Sequence, residues 1–206
     1  MMGITLATAL AFALTSTLIE FTPGPNMAWL TLVGVQAGRR AGYSAVAGVA
    51  LGLGVVGLAA AFGLSAVITA SPMLYALLRW GGVAYLVYLA WDAWRDSKRP
   101  DGISIETDAR FFARGVTTNL LNPKAALFYI AILPTFLDPT LPLAGQAVGL
   151  SLIYVLVATA IHATIVTLAS LLRPMLANKR GKAMTSKLFA AALAGVALWI
   201  AWSTRG

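Results

Sequence analysis

Three ionisable side chains lie in stretches of the sequence that are otherwise apolar: Glu20, Lys124 and His162. A charge near the middle of a bilayer costs at least about 2.5–3.5 kcal/mol on insertion scales, so a charge retained there generally serves a function. Glu20 is able to carry a coupling proton or to bind an ammonium group, and Lys124 is able to bind a carboxylate. His162 is the only histidine, and its ordinary pKa of about 6.5 suits a proton relay.

Each of these side chains also has a purely structural interpretation. Glu20 and Lys124 could form an ion pair that only ties two parts of the chain together, or Glu20 could pair with a cation at the membrane interface. His162 could be a hydrogen-bonded packing residue. We therefore predict that Glu20 or His162 carries the proton, and the sequence does not rank the two.

Two proline breaks lie beside these residues. Pro-Gly-Pro at positions 23–25 interrupts one apolar stretch, and Asn-Pro at 122–123 interrupts another. Proline lacks the backbone donor that a helix interior requires, so each helix must stop and restart. In a membrane, the freed backbone groups need partners in protein, water or a ligand.

A helix that restarts inside a membrane offers exposed amides and a positive dipole end, both of which suit a carboxylate. We expect helical segments to start near Met27 and Ala125, with the preceding prolines in or near the first turn. Neighbouring asparagines are able to cap these starts or to bind a ligand. The predicted substrate-binding residues are Pro23, Gly24, Pro25, Asn26, Asn119, Asn122, Pro123 and Lys124.

The composition places both breaks in a membrane. Hydrophobic residues make up 59% of the 206 residues and charged residues 11%, whereas soluble domains carry about 25% charged residues. We predict an all-α integral membrane protein with six transmembrane helices, of which spans one and four are broken. The predicted spans are 4–37, 43–70, 73–94, 116–137, 143–172 and 184–202.

Three spans per half would make the second half enter the membrane from the opposite side. Paired broken helices in such halves are the best sequence indication of a transporter binding site. We therefore predict a 3+3 inverted repeat within one membrane domain. Residues 1–94 form the first half and 116–206 the second, joined by a cytoplasmic loop at 95–115 that contains an amphipathic segment.

The basic residues predict the orientation. Most of the 15 Lys and Arg residues fall in three alternate loops, and positive loops stay cytoplasmic. The prediction is a multi-pass protein of the bacterial inner membrane with both termini outside. This arrangement accounts for the net charge of +8 without nucleic acid, and the basic loops would attract anionic membrane lipids.

Glycines recur every four residues in the first half, a spacing that lets helices pack closely. The packing could occur within one protomer or across a homodimer, and the spacing alone does not decide between them. The predicted packing positions are Gly34, Gly38, Gly42, Gly48 and Gly52.

The ordered motifs resemble the lysine exporter / homoserine–threonine resistance (LysE/RhtB-type) family of bacterial amino-acid exporters along essentially the whole chain. The matching residues are Pro23-Gly24-Pro25-Asn26, Gly34, Gly38-Arg39, Gly42, Gly48, Gly52, Gly82, Tyr85-Leu86, Asn119, Asn122-Pro123-Lys124 and Leu133-Pro134 with Phe136. The resemblance implies a six-span inverted-repeat exporter of small amino acids or close analogues, driven by the proton motive force.

The resemblance does not identify the amino acid: homoserine, threonine or another neutral or basic amino acid would fit. The chain also departs from the family pattern at two places. Thr135 stands where the family often has Gln, and His162 stands where some relatives carry an acid. Both departures bear on coupling and on the substrate.

Two other classes of function are weaker. A metal-ion exporter is poorly supported, because one His, no Cys and no carboxylate cluster within the spans make a poor metal site. A membrane-embedded enzyme is weaker still, since H-E-x-x-H and G-x-S-x-G are absent. We predict no catalytic residue, no metal and no cofactor. Without a phosphate-binding loop, export would have to use a gradient or a partner.

Overall fold

The computed structural model describes residues 4–22, 24–62 and 107–174, together with isolated helical positions between 73 and 94 and between 184 and 198. Predicted spans three and six, and Pro23, therefore lie largely or wholly outside the described residues. Every regular element in the described part is helical. The α-helices are α1 (Leu6–Glu20), α2 (Pro25–Ala37), α3 (Arg39–Ala61), α4 (Asp108–Leu120), α5 (Pro123–Leu127) and α6 (Leu143–Leu171).

Both prolines that follow a break occupy the first turn of a helix, at Pro25 in α2 and Pro123 in α5. This is the position where a missing N–H leaves no hydrogen bond unmade. The two helices begin two residues earlier than the predicted starts at Met27 and Ala125. After α5 the chain continues as a π-helical turn (Phe128–Ile132) and a 3₁₀ turn (Leu133–Phe136).

The junction of α2 and α3 depends on one glycine. Gly38 has a φ of +88°, in the left-handed region that favours glycine. Helix α3 then starts at Arg39, four residues before the predicted second span, because side chains of its first turn find partners. Arg39 Nε donates to Ser170 Oγ at 3.1 Å, and Arg40 Nε lies 2.6 Å from Asp108 Oδ2.

Helix α4 contains both the predicted amphipathic segment and the predicted beginning of span four. It begins after Thr107, and Asp108 in its first turn suits the positive end of the helix dipole. Phe111 is buried, and α4 packs along α3. The amphipathic pattern thus reflects one helix with a protein-facing side.

The loop between the 3₁₀ turn and α6 is held by Asp138. Its carboxylate accepts from the amide and hydroxyl of Thr140, and the hydroxyl contact in particular holds the pKa of Asp138 below its usual value. The Gln146 side chain bonds to the backbone N–H and C=O of Asp138. Helix α6 begins at Leu143, as predicted for span five, and ends within one residue of the predicted end.

The contacts between helices define their directions. Asp108 contacts Arg40, and Asn119 further along α4 contacts Gly52 further along α3, so α3 and α4 run parallel. Tyr43, near the start of α3, bonds to Thr167 near the end of α6. Gly57, near the end of α3, lies against Ser151 in the first half of α6, so α3 and α6 run antiparallel.

Helices α1 and α2 run in the same direction as α6. Glu20 at the end of α1 contacts Tyr154, and Gly34 further along α2 lies against Val166 and Ala169. Both α1–α2 and α6 therefore run opposite to α3–α4. Exposed arginines of the described part gather at one end of this group: Arg39, Arg40, Arg110 and Arg173.

Glycines allow close contact along α3. A Cβ at Gly48 would collide with the carbonyl oxygen of Phe112, and a Cβ at Gly115 with that of Ala45. One turn along α3, a Cβ at Gly52 would lie 2.9 Å from the Asn119 Cβ. We call this contact between the backbones of α3 and α4 the glycine seam.

The other predicted packing glycines differ in their surroundings. Gly34 and Gly42 lie against α6, where added Cβ atoms would meet Ala169 and Val166. Gly38 instead forms the turn before α3. The packing glycines thus make contacts within a single chain.

The distribution of polarity is that of a membrane protein. One face of α1 carries leucines that are 62% to 76% exposed, whereas Glu20, Asn119 and His162 are almost fully buried. By length and composition, α3 and α6 are able to cross a membrane, and α1 with α2, which meet at 66°, would make a third span. The exposed leucines of α1 are Leu6, Leu10, Leu14 and Leu18.

The glycine seam predicts a clear difference between two glycines of α3. Gly48→Ala should lower the free energy of unfolding by about 1–3 kcal/mol, because the methyl group overpacks the contact with α4. Gly54→Ala is the matched control, since nothing lies within 4 Å of an added Cβ there, and it should be neutral or stabilising by up to about 1 kcal/mol. Unfolding in mixed detergent micelles measures both, and equal stabilities would contradict the seam.

Candidate functional site

The two helix breaks lie side by side, although they are about a hundred residues apart in sequence. Lys124 Nζ, beside the second break, donates to the backbone oxygen of Thr22 in the first break at 2.9 Å. The aliphatic stem of Lys124 also packs on Gly24, where a Cβ would lie 3.4 Å from the Lys124 Cδ. The freed backbone of one break is thus partly satisfied by the other.

An amide pair joins the same two regions. Asn26 Nδ2 donates to Asn119 Oδ1 at 2.9 Å, and both side chains are buried. Among the described residues, no partner is present for Asn26 Oδ1 or Asn119 Nδ2. One acceptor and one donor therefore stay unused in a buried position, where each is costly unless water or a ligand supplies a partner.

The two helix starts are capped differently. Asn122 is the N-cap of α5, and its Oδ1 accepts from the Lys124 amide at 3.0 Å. Helix α2 follows Gly24, which has no side chain to cap it. The start of α2 therefore keeps the amide of Asn26 without a side-chain cap. Of the two helix starts predicted to suit a carboxylate, that of α2 is the less satisfied.

Glu20 is the centre of the site. Its side chain is 6% exposed, and its two carboxylate oxygens face different partners. Tyr154 donates its hydroxyl to Oε1 at 2.6 Å, while Lys124 Nζ lies 3.7 Å and His162 Nε2 3.3 Å from Oε2. The structure thus brings together the three ionisable residues singled out in the sequence, including the anticipated pair of Glu20 and Lys124.

Tyr154 was not among the residues predicted from the sequence. The available signal was its position eight residues before His162 on α6, just over two helical turns, which places both on one face. Ala158 between them is fully buried, so this face of α6 points inward. Tyr154 and His162 on this face therefore both reach Glu20.

Aromatic rings cover the site on the side of the Asp138 loop. The Phe128 ring stacks on Tyr154 with centroids 3.9 Å apart, and Phe12 meets both Phe128 and Phe136 edge to face. The adjacent residues Phe128 and Tyr129 are both buried, which the π-helical turn makes possible because it shifts the helical register. Such turns occur frequently at functional sites.

Several buried polar atoms of α1 and α6 have no hydrogen-bond partner in the described part of the chain. Ser16 lies one turn before Glu20 on α1, and Thr159 lies one turn before His162 on α6. The hydroxyls of both and His162 Nδ1 make no hydrogen bond there, and His162 Nε2 has only its 3.3 Å contact with Glu20 Oε2, which lacks hydrogen-bond geometry. Unsatisfied groups gathered in this way indicate room for water or for a polar group of a ligand.

The groups present are of kinds that are able to bind charged ligands and to exchange protons. An ammonium group and an imidazole each lie within 4 Å of the Glu20 carboxylate, in surroundings where electrostatic contacts are strong. Within the described ranges, no three His, Cys, Asp or Glu residues gather in a way that could hold a metal ion.

Comparison with known proteins identifies the family. Residues 17–204 match the family described as LysE type translocator. The chain belongs to this family. The LysE chain is 30% identical over 162 residues to the homoserine/homoserine lactone efflux protein of Salmonella typhimurium, covering 77% of this chain and 79% of the relative.

Other relatives carry different names. The LysE chain is 31% identical over 142 residues to the leucine efflux protein of Klebsiella pneumoniae subsp. pneumoniae, with 67% of each chain covered. It is 31% identical over 134 residues to an uncharacterized membrane protein of Vibrio cholerae, covering 64% of this chain and 65% of the relative. No solved structure matches the chain.

The Tyr154–Glu20 hydrogen bond predicts a specific loss of stability. Tyr154→Phe keeps the stacking on Phe128 but leaves one oxygen of a buried carboxylate unsatisfied, which should cost about 1–3 kcal/mol in unfolding free energy. Tyr43→Phe is the control, because the hydroxyl of the exposed Tyr43 bonds to the hydroxyl of Thr167 and not to a buried charge. Unfolding in detergent micelles should show a smaller loss of stability for Tyr43→Phe than for Tyr154→Phe. The reverse order would contradict the site.

Proposed function

We propose that this member of the LysE type translocator family is a secondary exporter that carries small amino acids or close analogues across the inner membrane in exchange for protons. The observation that carries the proposal is the contact between the two helix breaks around Glu20 and Lys124. Membrane transporters commonly bind substrate where broken helices from two repeats meet near the bilayer midplane. The names of the homoserine and leucine efflux relatives agree with an amino-acid substrate.

The order of the described helices supports the inverted repeat. In the first group, α1 is followed by a proline break, by α2 and then by the long helix α3. In the second group, α4 is likewise followed by a proline break, by α5 and later by the long helix α6. Helix α3 runs parallel to α4 and antiparallel to α6, its counterpart in the second group, and these directions support an inverted relation between the two groups. We propose that spans three and six complete the two halves.

The arginine-rich end of the group supports the proposed orientation. Arg39, Arg40, Arg110 and Arg173 are exposed at that end, and such residues stay on the cytoplasmic side. The Asp138 loop would then face outside, as would both termini. A substrate would enter from the arginine end, and the aromatic rings of Phe12 and Phe128 would close its path outward.

Charge balance favours a zwitterion. With Glu20 ionised and Lys124 protonated, the site holds one charge of each sign, so a zwitterion enters without adding net charge. Its carboxylate would find the uncapped start of α2, the Asn119 amide and Lys124, while its ammonium would find Glu20. A neutral amino acid such as homoserine or leucine meets this balance better than a basic one, whose extra charge would need a further partner.

Protons would be exchanged at Glu20 and His162. The two side chains lie 3.3 Å apart, and a proton moving between them would alter the attraction of Glu20 for any cation. This link between protonation and cation binding is what exchange of a proton for a zwitterion requires.

Efflux from proteoliposomes tests the proposal. Wild-type protein should move labelled amino acids from a broad panel when a pH gradient is imposed, and no movement of any amino acid would refute it. Lys124→Ala and Pro25→Ala should abolish efflux, because they remove the cation and the proline that starts α2. Lys187→Ala removes a lysine at an exposed helical position; it is the control and should keep wild-type rates.

His162 is tested through the pH dependence of the same efflux. His162→Ala should flatten the dependence of efflux rate on pH, because it removes one of the two side chains proposed to exchange the proton. Glu20→Gln should abolish exchange at every pH. If efflux by His162→Ala keeps the wild-type pH profile, His162 is a packing residue and Glu20 alone carries the proton.

A further inference from the structure

We propose that the ammonium group of Lys124 occupies, in this structure, the site that binds the ammonium group of the substrate. The inference rests on the proposed function and concerns what happens inside that site. Lys124 would be an internal cation that the substrate displaces, and only after displacement would it bind the substrate carboxylate.

The groups around Lys124 Nζ form a cation site. Nζ donates to the Thr22 backbone oxygen at 2.9 Å and lies 3.7 Å from Glu20 Oε2. Both partners are acceptors, and both lie just at or after the end of α1, where the helix dipole is negative. Any primary ammonium of similar size would find the same carboxylate and the same carbonyl oxygen.

Lys124 is held less firmly than Glu20. A charge-assisted N–H···O contact is ordinarily about 2.7–2.9 Å long, so the 3.7 Å separation from Glu20 Oε2 is a loose ion pair. The Tyr154 hydroxyl, by contrast, fixes the other carboxylate oxygen at 2.6 Å. The Lys124 side chain is also 21% exposed on a flexible stem, so the cation is able to leave while the carboxylate stays in place.

Displacement would keep every buried charge paired. Without substrate, Lys124 pairs with Glu20. With substrate, the substrate ammonium pairs with Glu20, and the released Lys124 pairs with the substrate carboxylate. An uncompensated buried charge costs several kcal/mol, so a ligand that has only one of the two groups would leave one protein charge unpaired. The exchange therefore selects the zwitterion over the amine or the acid alone.

The test compares three ligands in the wild type and in Lys124→Met, with Lys187→Met and Lys124→Arg as control variants. The ligands are the amino acid that the wild type exports fastest, its decarboxylated amine and its deaminated acid; for leucine these are isopentylamine and isocaproate. Binding to the full-length protein in detergent is measured by calorimetry at mildly alkaline pH, which keeps Glu20 ionised. Lys124→Met removes the internal cation and preserves much of the stem.

Relative to the wild type, Lys124→Met should change the affinities for the amine and for the amino acid in opposite directions. In Lys124→Met, the amine should bind about tenfold tighter than in the wild type, since nothing competes for Glu20. The amino acid should bind about tenfold weaker, since its carboxylate loses Lys124. Each tenfold change corresponds to about 1.4 kcal/mol. Lys187→Met should change neither affinity, and Lys124→Arg, which retains a cation, should keep amine binding weak.

Other results would overturn the inference. Unchanged amine binding with weaker amino-acid binding would make Lys124 a fixed carboxylate receptor, and no change in either would make it a structural ion pair. If Lys124→Met unfolds, Lys124→Gln replaces it in the comparison. Failure of wild-type efflux refutes the proposed function, whereas wild-type efflux together with unchanged amine binding in the variant refutes only this inference.

Discussion

The contact of Lys124 with Glu20 and with the Thr22 carbonyl is the interaction on which the site depends. A buried carboxylate needs a counter-charge, and a helix broken inside a membrane needs partners for its freed backbone groups. One lysine meets both needs at once, from the opposite break. Glu20, the proline breaks and Lys124 therefore depend on one another, because removing any one of them leaves a buried charge or a freed backbone group without its partner.

Helix α3 makes this contact possible. The glycine seam sets α4 against α3 at backbone contact, and Gly42 receives Val166 of α6 on another face. Bulkier residues would move α4 and α6 away from α3, and with them Asn119 and His162. A substitution on α3 can therefore disturb the site without touching it, because the site is assembled from helices that α3 holds in place.

Part of this arrangement could be predicted from the sequence, for physical reasons. Proline and glycine act locally, so the breaks at Pro25 and Pro123 were predictable. A charge in an apolar stretch is costly wherever it lies, so Glu20 and Lys124 stood out. The span at α6 had a long apolar run with a loop before it, and its predicted bounds agree with the structure to within one residue.

The rest depends on contacts between residues distant in sequence. The Asn26–Asn119 bond joins positions 93 residues apart, and Tyr154 gains its role only because α1 lies against α6. Helix α4 starts earlier than predicted span four, at Asp108, whose partners lie on α3. The sequence of α4 alone does not contain those partners. Uncharged polar residues such as Tyr154 and Ser16 do not stand out in the sequence of an apolar helix, because a membrane tolerates them at lower cost than charged ones.

The contacts across the described helices differ in how readily they can be exchanged. The two breaks are joined by hydrogen bonds and one loose ion pair, and side-chain hydrogen bonds within membranes average only about 0.6 kcal/mol. The glycine seam joins backbone to backbone with no side chain to rearrange. Separating the two proposed halves as rigid bodies would have to open that seam. A smaller movement confined to the two break segments, beside a closed seam, would exchange the polar contacts between them, and these are the contacts that a zwitterion is able to replace.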